Sequence, residues 1–540
     1  ALYKDECDKC GKKIVSLFHP ETPFTVYCHE CWWSDSWDPR SYGKDYDFSR
    51  PFFEQLHELR KVVPCQATNS TNSTDCKYCN GITRCKNCTY VFSGLQSINC
   101  YYGLTPAFTR DSVDFNFVIN GDHVYEGVNL GGVYNTKFIY FSDECFDCSL
   151  IFNCVGCSNC FGCVNLRNQK YRIFNKQYSK EEYQKEIIKW DLGDYEILQK
   201  AKEKFMELYY KMPRRFALIS SSVNVLGDDI QKTKNCKVCF SATNGVENCK
   251  FIFHGGLLLK DSYDVTLGGD TSEILYQTTG SIRCQRTFFT RSSNNTVDVE
   301  YSENILSGSN LFGCAKLRHK KYCILNKQYT KEEYEKLIPE IKKHMNEMPF
   351  IDKKGITYKY GDYFPIEHAM WAYNESWAYQ WFSLTKDQVV AKGFNWRDTT
   401  DRNYKITIKA KDLPNHINDV SDSILNEVIE CEHKGICNEQ CTTAFRILPN
   451  ELQFYRQINL ALPHLCPSCR YGQRIKIKNP PKLWHRKCMC NGVESENEEY
   501  KNTIEHFYGK SHCEVEFETA ISDERREMVY CEKCYQAEFI

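Results

Sequence analysis

No run of this chain stays apolar for the roughly 18–20 residues that a membrane-spanning helix needs. Charge of neither sign prevails. With 69 lysines and arginines against 70 acids, the formal net charge is −1, so any attraction to nucleic acid or an anionic membrane has to come from a local patch. The 14 histidines are scattered, no HExxH pair occurs and no GxxxxGK[ST] loop is present, which excludes the zincin and P-loop classes. The Gly-Gly pairs at 131–132, 255–256 and 268–269 read instead as tight turns. The opening ALYKDECDKC carries neither a signal peptide nor an initiating Met, so the chain is expected to begin partway through a repeated unit.

Cysteine is abundant, at 32 of 540 residues, and much of it falls in Cys-x-x-Cys pairs. Hydrophobic content of 42% and aromatic content of 14% mark a folded chain, long enough for several domains. Pairs that close separate modules fit thiolate–metal chemistry in a reducing compartment, so the cytoplasm is expected. Asn-x-Ser/Thr sites at Asn69, Asn72, Asn87, Asn294 and Asn374 are the counter-signal for secretion.

Two modules of one design stand at the ends. Cys7-x2-Cys10 and Cys28-x2-Cys31 are separated by seventeen residues, and the same gap separates Cys513 from Cys531-x2-Cys534. The flanks PFTVYCHEC and REMVYCEKC agree, and Leu2-Tyr3 and Leu483-Trp484 each begin five residues before a cysteine, Cys7 and Cys488. Four thiolates in tetrahedral array suit zinc and leave no open position for water. The expected ligands are Cys7, Cys10, Cys28 and Cys31 at one end and Cys488, Cys513, Cys531 and Cys534 at the other, with Cys490, His506 and His512 as substitutes. A third set is expected from Cys437, Cys441, Cys466 and Cys469, with Cys431 and His433 as alternative ligands. About three structural Zn2+ sites follow from these spacings.

Between the modules lies a duplication. VNLRNQKYRIFNKQYSKEEYQKE (164–186) matches AKLRHKKYCILNKQYTKEEYEKL (315–337) at an offset of 151 residues, which also places Cys85-x2-Cys88 on Cys236-x2-Cys239. Within the first copy a polar–small pair recurs every twelve residues, at Asn87-Cys88, Asn99-Cys100, Asp111-Ser112, Asn135-Thr136, Asp147-Cys148 and Asn159-Cys160, with only the step at His123 irregular. Each lies beside a short stretch such as TYVF or VDFNFV with the period-two signature of a strand. Stacked coils of a β-solenoid are expected, ahead of a β-sandwich, with the second copy looser. The cysteines of these coils are expected to pack in the core, the alternative being a metal or iron–sulfur cluster. Capping boxes Ser179-x-x-Glu182 and Thr330-x-x-Glu333 predict helices across a solenoid end or over an edge strand. Trp371, Trp377, Trp381 and Trp396 enrich a later segment that reads as a local core or a docking patch, and residues 398–430 read as a polar linker and a strand.

The expected order is therefore a multi-domain α+β chain. It runs from an N-terminal zinc ribbon (1–45) through a helical linker (46–75), β-solenoid-like repeat 1 (76–177) and a helical segment (178–215) to β-solenoid-like repeat 2 (216–328) and a helix (329–349). A Trp-rich segment and linker (350–430), a zinc-binding module (431–482) and a C-terminal zinc ribbon (483–540) follow.

Three functional classes are weighed. A non-enzymatic zinc scaffold that binds a protein partner comes first, because closed metal shells bracket a long stackable surface. Nucleic-acid or ribosome binding comes second. Residues 452–493 lack Asp and Glu but carry Arg456, Arg470, Arg474, Lys476, Lys478, Lys482, Arg486 and Lys487, with Tyr471 and Trp484 as stacking faces. A metal or redox enzyme comes third, since no catalytic constellation is found; a small-molecule substrate and a membrane are not expected.

Several motifs together resemble uncharacterised cysteine-rich proteins of candidate-phyla-radiation (Patescibacteria) bacteria. They are CDKCGKKIVSLF…VYCHECWWSDSWDPRSYGKDYDFSRPFFEQ, the GC-x-x-LR-x-[QK]KY-x-I-x-NKQY[ST]KEEY repeats, FRILPNELQFYRQINLALPHLCPSCR and LWHRKCMC…VEFET…VYCEKCYQ. The resemblance covers about two-thirds of the chain and implies a bacterial protein with zinc-ribbon ends. It carries no activity over.

Overall fold

The computed structural model describes residues 2–398 and 404–540; residues 399–403 of the expected linker lie outside the described residues. Its centre is a pair of β-solenoids. In the first, Thr83, Lys86, Thr89 and Phe92 pair in parallel with Leu95, Ile98, Tyr101 and Leu104, each twelve residues on. Four pairings three residues apart make a four-sided coil, and the twelve-residue register of the sequence is its circumference. No sandwich forms.

The local period is three, not the two expected of ordinary strands. Every third residue turns a corner in the left-handed region, as Asn87, Tyr90, Ser93, Gln96 and Asn99 do with φ of 52, 56, 56, 47 and 54°. The residue after a corner points inward, and Cys88, Val91, Ser97 and Cys100 are fully buried. Asn and Asp tolerate left-handed backbone best, which accounts for the polar member of each repeated pair. Successive corner asparagines also bond one another, Asn87 Nδ2 donating to Asn99 at 2.8 Å and Asn99 Nδ2 to Asp111 at 2.7 Å. Where tyrosine takes a corner, stacking offsets the strain: Tyr78, Tyr90 and Tyr102 lie 5.0 and 5.4 Å apart, nearly parallel.

A side of three extended residues is only about 10 Å long, so four inward side chains must share a narrow bore. Small side chains fill it. Inward thiols and hydroxyls are interchangeable there, each donating to a carbonyl two residues back and, in most coils, to another about nine ahead. Cys88 Sγ reaches Lys86 O and Ser97 O, and Thr109 Oγ1 reaches Ala107 O and Val118 O. The single large inward ring, Phe115, fits because Gly103 lies beneath it; a Cβ on Gly103 would fall 2.2 Å from the ring.

The second solenoid is looser for a definite reason. Its coils span 11 residues (Val225 to Cys236), then 13 three times (Lys237 to Lys250 to Tyr263 to Tyr276), then 12. The thirteenth residue enters at one corner, where two consecutive residues are left-handed: Asn244-Gly245, Leu257-Leu258 and Asp270-Thr271. The Gly-Gly pairs 255–256 and 268–269 are therefore not isolated tight turns. Gly256 and Gly269 pair in adjacent coils, so closely that a Cβ on Gly269 would sit 1.7 Å from Gly256 O.

Each solenoid closes in the same way. Asn175 pairs both ways with the backbone of Val164 (2.9 and 3.0 Å), and Asn326 does so with Ala315 (2.8 and 2.9 Å). A short antiparallel strand follows, then the helices Lys180–Ile187 and Lys331–Glu347, both with complete capping boxes. These cover the final edge that would otherwise invite another strand.

The ends of the chain close the molecule with pseudo-twofold logic. Val26-Tyr27 of the N-terminal module pairs with Cys65-Gln66 at the entrance of the first solenoid, while Asn326 at the exit of the second donates to Pro39 O. Conversely, Val529-Tyr530 of the C-terminal module pairs with Arg214-Arg215 at the entrance of the second solenoid, while Asn153 and Asn165 near the exit of the first bond Tyr535 and Pro213 O. The tryptophan segment packs on the second solenoid, with Arg291 over Trp371 (4.8 Å) and Trp377 and Trp381 against Phe253. Trp371, Trp377 and Trp381 thus belong to a local core.

Candidate metal centres

Three cysteine quartets converge, each with its four sulfurs within 4.8 Å of one another. They are Cys7, Cys10, Cys28 and Cys31; Cys431, Cys441, Cys466 and Cys469; and Cys488, Cys513, Cys531 and Cys534. The terminal quartets contain the residues that spacing selects. In the middle one Cys431 stands where Cys437 was expected.

One local design builds all three. The first cysteine ends a hairpin strand: Tyr3–Glu6 before Cys7, Ile429–Glu430 before Cys431, Trp484–Lys487 before Cys488. The last pair opens a helix, with Cys28, Cys466 and Cys531 at the N-caps of His29–Trp33, Pro467–Ile477 and Glu532–Phe539. Cys31, Cys469 and Cys534 then fall one turn in, so both sulfurs face the hairpin. The N–H groups of Cys28, Cys466 and Cys531 donate to the sulfurs of Cys7, Cys431 and Cys488, each at 3.2 Å. That shared bond identifies Cys431 as the equivalent of Cys7. The sequence signal was Glu430-Cys431, which matches Glu6-Cys7 as a strand end; the Cys-x3-Cys spacing of Cys437 and Cys441 drew attention from it.

Sulfur separations of 3.9 Å (Cys10–Cys28), 3.8 Å (Cys431–Cys469), 4.0 Å (Cys441–Cys466) and 3.9 Å (Cys513–Cys531) are close to the edges of a tetrahedron with bonds of about 2.3 Å. Crowded thiols cannot all ionise without a cation. Bonds from Cys488 and Cys534 bring Cys531 down to about 2, while Cys534 is driven up by Cys488 and Cys490 before its other neighbours. At Cys7, burial raises the thiol, but backbone N–H bonds at Cys28, Cys10 and Lys9 outweigh it and bring it to about 7. A divalent metal would supply the missing positive charge and release the remaining protons.

Cys490 lies behind the C-terminal quartet with its own partners. Tyr508 OH donates to Cys490 Sγ at 2.6 Å and lies 3.1 Å from Cys534 Sγ, Asn502 Nδ2 donates at 3.2 Å, and His506 Nδ1 stands 3.8 Å away. His506 Nε2 meets Glu538 at 3.0 Å. His512 belongs neither to the C-terminal quartet nor to the Cys490, His506 and Cys534 group.

The inward cysteines of the solenoids are separate from these centres. Cys145, Cys148, Cys154, Cys157, Cys160 and Cys163 are fully buried at multiples of three, and no disulfide forms among the described residues. Here Cys-x2-Cys marks one side of a coil.

The basic strip is divided by the fold. Arg470 bonds Asp114 at 2.8 Å and Glu451 at 3.1 Å, and Arg474 bonds Asp114 at 3.1 Å and Asn116 at 3.0 Å, both buried against the first solenoid. Lys478 is buried between Asn129 (3.1 Å) and the ring of Phe117 (4.1 Å). Lys476 pairs with Glu439, Arg486 donates to Ser522 O at 3.0 Å and Lys487 pairs with Glu516 at 3.1 Å. Lys482 stays at the surface over Trp484. Arg470, Arg474 and Lys478 thus face inward and belong to no phosphate-contacting surface.

No family model and no curated protein matches this chain. Among solved structures, a "putative acetyltransferase" from Desulfovibrio desulfuricans G20 aligns at 11% identity over 53% of this chain and 84% of its own, with a TM-score of 0.11. A likeness that low carries no argument about fold or activity.

Proposed function

We propose that the protein is a zinc-stabilised, non-enzymatic scaffold of the cytoplasm, in which three tetrathiolate zinc ribbons fasten a double solenoid into one body. The observation that carries this reading is the placing of the quartets. Each lies in a module bonded to solenoid backbone or to side chains that leave the coils: Val26 on Cys65, Val529 on Arg214, and Arg470 on Asp114. Four sulfurs per centre support a closed shell, whose contribution is to folding. The tetrahedral, all-sulfur donor set suits zinc, and also iron or cobalt, so metal analysis decides between them. The ligand of the scaffold is proposed to be a protein. The nucleic-acid reading, which needs Arg470, Arg474, Lys476, Lys478, Lys482, Arg486 and Lys487 on one open face, is weakened by the internal pairing of most of them.

Elemental analysis with thiol titration on the full chain, purified without added metal, tests the proposal. At least three zinc per chain are expected, with amide exchange rising at 26–27, 65–66, 214–215 and 529–530 after chelation while the coils stay protected. Iron with acid-labile sulfide, or fewer than three metals after zinc saturation, would overturn it. Steeply salt-dependent binding of a short RNA would replace the protein-scaffold reading with the second one.

A further inference from the structure

Beside the middle quartet, four donors of mixed chemistry converge: His433, Cys437, Glu439 and Cys469 each bring one ligand atom within 4.8 Å of the others. Cys469 belongs to both sets. From this arrangement we infer that the middle module holds two metal ions, with the Cys469 thiolate bridging them. The inference rests on the proposed occupancy of the Cys431, Cys441, Cys466 and Cys469 quartet.

The geometry fits a second tetrahedral ion. Cys437 and Cys469 sulfurs are 3.6 Å apart, and His433 Nδ1 and Glu439 Oε2 are 3.3 Å apart, near the roughly 3.5 Å edges expected for bonds of about 2.0–2.3 Å. Neither His433 Nδ1 nor Glu439 Oε2 has a hydrogen-bond partner, although both atoms are buried. Only 8% of the Glu439 side chain is exposed. The two atoms face each other at 3.3 Å and can share a proton, but they are not aligned for a hydrogen bond, and a cation held between them would satisfy both.

Neighbouring residues look arranged for that carboxylate. Glu439 lies across the helix Pro467–Ile477 at Gly472, where a Cβ would fall 2.3 Å from Glu439 Cγ. Glycine weakens a helix interior relative to alanine, and here it opens the path by which Glu439 reaches Cys469. Lys476, one turn further along the same helix, holds the other oxygen, Glu439 Oε1, leaving Oε2 for the metal. This is the outer-shell support that ligating carboxylates usually have. The second site also explains Cys437. It is close enough to Cys469 to share a metal, yet it is not the quartet's fourth sulfur. A chemically mixed S2NO site of this kind takes zinc or a similar divalent ion.

The test is the zinc content of the full chain after saturation with ZnCl2 and gel filtration, for wild type, Cys437→Ser, Glu439→Gln and Gly472→Ala. Wild type is expected to hold at least four zinc per chain and each variant one fewer, with circular dichroism unchanged. Three zinc in wild type with no loss in Cys437→Ser would overturn the second site while leaving the three quartets intact. Three in wild type falling to two in Cys437→Ser would overturn it as well, since Cys437 would then serve a single ion. Fewer than three in wild type would fail the quartet reading itself. Glu439→Gln and Gly472→Ala leave every quartet sulfur in place, so a misfolded Cys437→Ser would not decide the matter.

Discussion

The guanidinium of Arg318, near the exit of the second solenoid, lies 4.7 Å from the ring centre of Trp32 in the N-terminal module. Trp33 and Trp37 complete the cage, each 5.3 Å away. Its counterpart 151 residues upstream, Arg167, is linked to Tyr535 of the C-terminal module through Asn153, which accepts from Arg167 at 3.3 Å and donates to Tyr535 OH at 2.8 Å. Each terminal module thus places an aromatic residue one position past its last cysteine toward the solenoid that ends beside it, directly on an arginine at the N-terminal module and through an asparagine at the C-terminal one. Arg318→Ala is expected to weaken docking of the N-terminal module by about 1–2 kcal/mol. Amide exchange should rise at 26–27 and 65–66 and stay unchanged in coils 98–119; equal change in both regions would refute local docking.

Glu303 is the buried anion that joins the helix Phe52–Val62, hereafter the N-terminal helix, to the second solenoid. It bonds Arg60 at 2.9 Å, Lys316 at 2.6 Å and Arg291 at 3.0 Å. Burial alone would raise its carboxyl, but the charges of Arg60, Lys316 and Arg291 outweigh it and hold it far below the usual range. Glu303→Gln leaves three cations with no buried anion, and a loss of about 3–5 kcal/mol is expected in urea unfolding. A loss under 1 kcal/mol would mean that the cluster is open to water.

His57 of the N-terminal helix stacks on His368 with ring centres 4.0 Å apart. Burial, then Lys61 and Arg60, bring His57 down to about 4, and burial, then His57, brings His368 down to about 3. Both folded-state values lie below the unfolded value of about 6.5. Stability from this pair is therefore complete above pH 6.5. Between pH 6.5 and 4 only the unfolded chain takes up the protons, so stability falls as pH falls. A loss on the order of 1–2 kcal/mol is expected between pH 7.5 and 5, since His57 is only half-buried. Urea melts of wild type and His57→Phe check it: the variant should lose less on acidification, and an identical pH slope would sink the assignment.

Gly269 has φ +152° and no room for a side chain, because the obstructing atom is Gly256 O of the adjacent coil. Gly269→Ala is expected to cost more than 3 kcal/mol by forcing two coils apart. Gly355, at φ +80° with open space around it, should cost only about 1 kcal/mol on the same change. Thermal unfolding of the two variants separates crowding from backbone preference.

Cys148 and Cys7 both begin or end a Cys-x2-Cys yet should respond oppositely to serine. Cys148 Sγ donates to Phe146 O and Cys157 O, as hydroxyls do elsewhere in the bore. Cys148→Ser should cost no more than about 1 kcal/mol and leave the zinc content unchanged. Cys7→Ser should lower it by one equivalent. A metal loss in Cys148→Ser would place a centre inside the solenoid.

The duplication, the twelve-residue circumference, the helix caps and the terminal quartets are legible in the linear chain, because each is written in the spacing of residues along it. Asn99-Cys100 announced a corner and its inward neighbour, and Ser179-x-x-Glu182 announced a helix start, through purely local chemistry. The three-residue period is hidden in the sequence because Asn, Tyr, Ser and Gln all serve as corners, so hydropathy records only the inward residue. Other properties needed the folded chain. Spacing in the linear chain favours Cys437 over Cys431; the hairpin Ile429–Glu430 with Ala444–Phe445 instead delivers Cys431 to the quartet and leaves Cys437 beside His433. Arg470 and Arg474 belong in the linear chain to a basic strip open to phosphate, and packing instead sets them on Asp114, 356 and 360 residues away. Only tertiary structure could decide this, since the energy of a charge depends on what surrounds it, and those neighbours come from distant parts of the chain.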